Sequence, residues 1–343
     1  MTDKRANNPA NVYSTVRSGR SVDYLMTQVL LAMAPGVVLT SFLFGIGVVI
    51  QIVIAASVVG AVECLVSYLR GEALTSGLLD RAWLVLAVIL GVSVPPYCPW
   101  EITVSGALFA AFVGKHLFGG TGQNLFNPAM VGVVFVLVCF PKISGTWPSL
   151  VDASDISWQT GVAMIFTPKS QMLDAVSGAT LLEFERTQIA LAAMRSEFEA
   201  APIYGVFAER GWEWVNLAYL IGGIYLCLKR VIRITIPVCF LGSLFVLASI
   251  AHGVDSERFA GPFVHWFAGA SMLCAFFIAT DPVTSPTGRK AAAIYGVLLA
   301  VLLFLFRVNG AYPDGVAFAV VLLNVFVPML DRLFSPQIYG HKS

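Results

Sequence analysis

From Tyr24 to Val62 the chain runs for 39 residues without one Asp, Glu, Lys, Arg or His. One crossing of ~30 Å of hydrocarbon takes ~20 apolar residues, so the run is long enough for nearly two. Gly45 and Gly47 mark the place to turn. A chain that folds in water rarely carries such a run, because a surface helix needs one polar face. Composition extends the constraint to the whole sequence. Of 343 residues, 57% are hydrophobic and only 12% are charged, against ~25% charged in soluble domains. Mean hydropathy is +0.80. Net charge is +1, from 21 Lys and Arg against 20 Asp and Glu. Nothing here points to a nucleic-acid partner, which needs a concentrated basic face.

Stretches near 25–43, 48–68, 80–96, 101–117, 123–140, 213–228, 231–251, 263–280, 290–307 and 314–332 give ten candidate crossings. The expected fold class is an all-α polytopic membrane protein, a bundle of about ten transmembrane helices. Several are short or interrupted by Gly or Pro. Hydrocarbon supplies no partner for a freed backbone group, so broken helices are expected to face protein, a cavity or a cofactor. Residues 1–22 read as a cytoplasmic tail, since no apolar leader core precedes the first span. Helices one to five occupy 23–140, a long outer-face segment 141–211, helices six to ten 212–334, and a cytoplasmic C-terminal tail 335–343. The tails and short loops on one side carry 14 Lys and Arg, those on the other only Arg258 and Arg307. That asymmetry places both termini in the cytoplasm and 141–211 outside.

The chemistry-bearing residues fall into clusters. In the outer segment, Ser177–Gly178–Ala179–Thr180 precedes a stretch, Leu181–Glu199, that reads as an amphipathic helix. Ser and Thr are capping residues, so a helix cap is the plain reading. A helix start also favours anions. Lys115–Ala129 holds Gly119–Gly120–Thr121–Gly122–Gln123–Asn124 and then Asn127. It is either a turn between helices or polar support for a cofactor or ion, and it lacks the Walker spacing. Asp281, among Pro282, Thr284 and Pro286, is expected to pair with Arg289 or to cap the next element. Asp314 reads as a cap after a proline turn, with Asn324 inside the last span. Glu63 is the clearest ionisable residue at membrane depth, functional by default but close enough to a boundary to snorkel. Asp23, Asp80 and Arg81 read as interfacial. The six cysteines show no CxxC spacing and read as packing residues.

KHLFGGTGQNLFNPAM, DAVSGAT, FFIATDPVTSP and YPDGVAFAVVLLNVFVP occur in that order. Together they resemble the RnfD/NqrB family of membrane proteins. Its members belong to the Rnf ion-translocating electron transport complex, a ferredoxin:NAD oxidoreductase, and to the Na⁺-translocating NADH:quinone reductase. The resemblance covers about Ser21 to Phe334. The short tail before the first span favours the Rnf side. The family implies a ten-helix bundle carrying FMN through a phosphoester to a threonine, which here is Thr180, with Ser177, Gly178, Ala179 and Asp174 around it. That reverses the cap reading of Thr180. The ester oxygen is expected to be reachable by a flavin transferase that takes FMN from FAD. A second, non-covalent flavin is implied by the quinone-reductase relative, and Gly120, Gln123, Asn124 and Asn127 are the candidates to support a cofactor or ion. The implied function is a flavoprotein subunit of a redox-driven Na⁺ or H⁺ pump in a bacterial inner membrane. It would carry electrons between ferredoxin and NAD branches. The implied partners are the other Rnf subunits, including a periplasmic FMN subunit and iron–sulphur subunits, and the lipid bilayer. No catalytic acid–base residue and no metal site are nominated. A secondary transporter without redox role would show matched broken segments in its two halves, and the sequence shows none that align. A structural scaffold, with SGAT a mere cap, is the third reading.

Overall fold

The computed structural model describes residues 21–144, 147, 148, 150, 156–167, 177–310, 312 and 314–334. Asp174 and both chain ends lie outside the described residues.

Helix α1 (Val22–Phe44) starts where Ser21 Oγ accepts from the Tyr24 amide at 3.2 Å. It ends at Gly45, whose φ of 89° lets the chain reverse into α2 (Gly47–Leu69). α3 (Ala82–Ser93) stops short of Pro95–Pro96. α4 (Trp100–Phe109) runs on as a π turn over Ala110–Lys115 and a 3-10 turn over His116–Phe118. α5 (Pro128–Cys139) begins later than the expected residue 123, because Gly119, Gly120 and Gly122 all have positive φ and form a loop. Asn127 caps α5, its Oδ1 accepting from the Met130 amide at 3.2 Å.

Two residues of β1 (Trp147–Pro148) pair antiparallel with β2 (Ser177–Gly178). α6 (Trp158–Phe166) lies between them in the chain. α7 (Leu181–Ala190) is shorter than the expected Leu181–Glu199. The chain breaks at Ala192, with φ of 60°. Arg195 then folds back to donate to Glu185 at 2.7 Å, and Tyr204 donates to the same oxygen at 2.8 Å.

The second set of helices comprises α8 (Trp212–Leu228), α9 (Thr235–Val254), α10 (Pro262–Phe267), α11 (Ser271–Leu273), α12 (Arg289–Asn309) and α13 (Val316–Leu333). α11 continues as a π turn over Cys274–Ile278. The crossing expected at 263–280 is therefore interrupted, with Gly269 at φ of 61°. Small residues set the closest helix contacts. A Cβ on Gly222 would collide with the Ala32 carbonyl, and one on Gly36 would strike the Tyr219 ring. Glycine lets α1 and α8 meet there.

α1, α2, α9, α12 and α13 are long and apolar enough to cross a membrane, and α3, α5 and α8 are shorter apolar helices. With α4 and the interrupted α10–α11, every expected crossing has a helical counterpart. The chain is an all-α multi-pass membrane protein.

Candidate functional site

Thr180 follows the β1–β2 ladder and stands at the N-cap of α7, with φ −67° and ψ 158°. Its carbonyl accepts from the Phe184 amide at 2.8 Å. Its hydroxyl does not cap. Oγ1 is buried and has no hydrogen-bond partner. The Leu181 amide, the first of α7, acts on the buried Glu209 carboxyl. The cap reading of the SGAT run thus holds for the backbone and fails for the hydroxyl. The residue lines an internal cavity and its oxygen is buried, which corrects the expectation of a freely reachable group.

That cavity has about 970 Å³ of unfilled space, part of it open. Thr180, Glu209, Trp147, Trp212, Met130 and Ile278 are among its lining residues. α1 contributes Thr40, α3 Ser93, α5 Val133 and Leu137, α8 Asn216 and Tyr219, α13 Val316 and Ala317. Trp147 and Trp212 meet edge to face at 5.0 Å, with Phe44 behind them. The two tryptophans and Thr180 line the same space.

Interrupted backbone around this cavity is served by side chains. Asn216 Nδ2 donates to the carbonyls of Phe267 (3.0 Å) and Gly269 (2.8 Å), and its Oδ1 accepts from the Met272 amide at 3.2 Å. Arg307, read from sequence as an outer-loop charge, is buried within α12. It donates to the carbonyls of His265 and Ala268 and to Asp314 at 3.1 Å. Asp314 accepts from the Ala270 amide at 2.8 Å. It does not cap α13, as expected, but closes the break between α10 and α11. Gln51 plays the same part before α4, donating to Pro96 and Cys98 and accepting from Thr103. None of these roles was read from the sequence. Buried Asn and Gln in apolar runs were the only signal.

Glu209 is held in place by its neighbours. Glu213, buried at the start of α8, accepts from the amides of Val206, Phe207 and Ala208 at 2.9–3.3 Å and folds the segment over the cavity. Burial pushes the Glu209 carboxyl up to about 8, against the pull of the Leu181 amide. Burial pulls the Arg195 guanidinium down, and its bond to Glu185 more than restores it. Burial first, and Glu185 second, push the Tyr204 phenol up.

Of the other sequence candidates, Ser177, Gly178 and Ala179 lead directly into Thr180, and none of Gly120, Gln123, Asn124 and Asn127 lines its cavity. Gly178 pairs with Trp147 and Ser177 with Pro148 in the ladder, and Ala179 is exposed. Gly120 has φ of 109°, Gln123 is exposed, and Asn124 donates to Phe126 at 3.0 Å. Arg70 holds the loop through the Gly119 carbonyl at 3.1 Å. Asn127 also donates to Ile278 at 3.5 Å, and its amide donates to Asn324, which in turn donates to Thr284. Asp281 accepts from Thr284 at 2.8 Å within its own turn and forms no pair with Arg289. Glu63 does not snorkel. It is 3% exposed and meets Lys115 at 2.7 Å and His116 at 3.2 Å. Asp23 pairs with Arg81 at 3.0 Å, both exposed as expected of interfacial residues.

Residues 11–340 match the family described as NQR2, RnfD, RnfE. The chain belongs to this family. It is 41% identical over 337 residues to the D subunit of the ion-translocating oxidoreductase complex of Cronobacter sakazakii, covering 94% of this chain and 96% of the relative. The corresponding proteins of Shewanella sediminis and Aeromonas hydrophila are 38% and 41% identical. Those alignments cover 93% and 92% of this chain, and 94% of each relative. The match over 11–340 extends membership in the NQR2, RnfD, RnfE family to both sets of helices and to the segment bearing Thr180.

Proposed function

We propose that this chain is the flavin-bearing membrane subunit of a redox-driven cation pump of the Rnf type. The subunit role follows from its relatives, each a subunit of an ion-translocating oxidoreductase complex. The flavin reading rests on one observation, the buried and unpartnered oxygen of Thr180, a residue that lines an aromatic-walled cavity.

The residues present fit FMN held by a phosphoester. Thr180 Oγ1 is free of any hydrogen bond within the chain. As the ester forms from FAD, the hydroxyl proton is lost and AMP is the leaving group. Glu209 carries a proton below about pH 8, so it adds no full charge beside the phosphodiester. Trp147, Trp212 and Tyr219 offer flat apolar surface to a planar ring. The flavin supplies one- and two-electron transfer between neighbouring centres. The chain's own residues tether, pack and exclude water. Electrons passing between ferredoxin and NAD branches would drive Na⁺ or H⁺. The same reading assigns a flavin transferase to maturation, iron–sulphur subunits and a periplasmic FMN subunit as partners, and the bacterial inner membrane as location. Both termini are cytoplasmic in it and Thr180 lies outside. The glycine loop at Gly120–Gln123 is then the inner candidate for a second, non-covalent flavin or an ion.

The test is coexpression with a flavin transferase, denaturation, and fluorescence on the gel band. Fluorescence stays with the wild-type chain, is lost in Thr180→Val, and is carried by a Thr180 peptide with the added mass of FMN. A dark wild-type band under these conditions overturns the proposal.

A further inference from the structure

The bundle also carries a groove that the flavin site leaves unused. α8 and α9 are consecutive, yet they scarcely touch, and α9 packs on α12 instead. The gap holds about 1830 Å³ of unfilled space, part of it open. Its depth is apolar, formed by Leu241, Trp266 and Phe276, and Trp266 spends its N–H on the Leu241 carbonyl at 2.9 Å. Its outer rim is apolar as well. Ile224, Leu228, Ile234 and Val238 are 47–78% exposed. A chain that crosses a membrane presents such a face to acyl chains.

The mouth differs. Arg230, Arg233 and Arg289 line it, all exposed. Arg233 donates one N–H to the Thr287 carbonyl. None of the three has a carboxylate partner among the described residues. The nearby acids are engaged. Asp331 accepts from the amides of Thr287 and Gly288, and Asp281 is taken up by its own turn. Lys229 and Lys290 add charge of the same sign beside the arginines. A guanidinium offers a planar fork of donors that matches phosphate. Three of them at the head of an apolar slot match one chemistry, a phosphate-bearing head on hydrocarbon tails.

We propose that this groove is a binding site for one acidic glycerophospholipid, its head on Arg230, Arg233 and Arg289 and an acyl chain between α8 and α9. Basic pockets between transmembrane helices on the cytoplasmic side bind acidic lipid heads by this chemistry. The site is independent of Thr180, so it stands or falls apart from the flavin reading.

The test is native mass spectrometry of the purified full chain, delipidated and then titrated with phosphatidylglycerol or phosphatidylethanolamine. Phosphatidylglycerol is expected to stay bound under activation that strips phosphatidylethanolamine. Removing all three arginines weakens it about 100-fold, at about fivefold for each charge. Gly242→Trp is the second arm. No atom lies within 4 Å of a Cβ placed on Gly242, which lines the groove. The indole fills the slot and leaves every arginine in place, so phosphatidylglycerol is lost although the surface charge is unchanged. Retention in Gly242→Trp reduces the patch to a charged surface and overturns the proposal. Equal retention of the two lipids overturns it too. So does a Gly242→Cys cross-link to another protein subunit in the assembled complex. Should the triple alanine variant not fold, Arg→Lys at all three positions keeps the charge and is expected to keep the selectivity.

Discussion

The Glu63–Lys115–His116 cluster gives the sharpest energetic prediction. Glu63 on α2 and Lys115 at the end of the π turn after α4 meet at 2.7 Å with side chains only 4–5% exposed. His116 reaches the same oxygen at 3.2 Å, with its side chain 9% exposed. An exposed pair of this kind would contribute ~0–1 kcal/mol. Buried, its energy is asymmetric. Desolvation offsets much of the attraction, yet removing one partner leaves an uncompensated charge and costs ~3–5 kcal/mol. Lys115→Met leaves the carboxylate with His116 alone. Glu63→Met leaves the ammonium beside His116 with no anion. Each single change should therefore lower the folded-to-unfolded ratio by roughly two to three orders of magnitude or more. The double variant should recover most of that loss, because two methionines fill the space without a charge. The assay is a double-mutant cycle on detergent-purified protein, followed by thermal or denaturant unfolding. Single variants within ~0.5 kcal/mol of wild type, or a double variant whose loss is the sum of the singles, would refute the reasoning.

Glu209 makes stability pH-dependent. Its folded value of about 8 lies above the ordinary 4.5. The folded state therefore holds the proton more tightly, and stability is lost as pH rises from about 4.5 to 8. The loss is at most ~5 kcal/mol. Glu209→Gln should flatten the unfolding profile across that window and be more stable than wild type above pH 8; parallel profiles would show that Glu209 is not the group. Asn216→Leu removes the partners of Phe267, Gly269 and Met272, each worth ~1–3 kcal/mol when left unpaired in the interior. It should cost at least ~3 kcal/mol in thermal unfolding, whereas Asn309→Leu, at an exposed bond to Leu305, should change little.

Hydropathy located a helix at every expected crossing, because an apolar run is a one-dimensional signal, and Gly45 marked the turn between the first two. The charge pairs were not legible that way. Glu63 and Lys115 are 52 residues apart, and nothing in either local window shows that α2 and the turn after α4 converge. Arg307 counted as a loop charge because it lies near the end of an apolar run. Only the fold shows it turned inward onto Asp314. The break at Ala268–Ala270 was hidden as well. Its sequence is as apolar as a continuous helix, and the residue that permits the break, Asn216, belongs to another helix. Thr180 stood out from sequence by resemblance, and composition alone made it a cap. The fold adds what neither reading held, that the hydroxyl makes no cap bond and is buried without a partner.

That separation extends to the whole interior. Gln51 serves Pro96 and Cys98, Asn216 serves the break after Phe267, Arg307 serves His265 and Ala268, and Asn324 serves Asn127 and Thr284. Each stands where helical bonding is interrupted, and in hydrocarbon such a place persists only when served. Backbone demand therefore accounts for these polar side chains without any ligand. Thr180 inverts the relation. It occupies the position where a hydroxyl would stabilise a helix by ~1 kcal/mol, and it makes no such bond. Its oxygen is withdrawn from water and given no partner within the chain. A buried hydroxyl costs free energy until it is bonded. The folded chain alone leaves that cost standing, and the phosphoester proposed at Oγ1 would remove it.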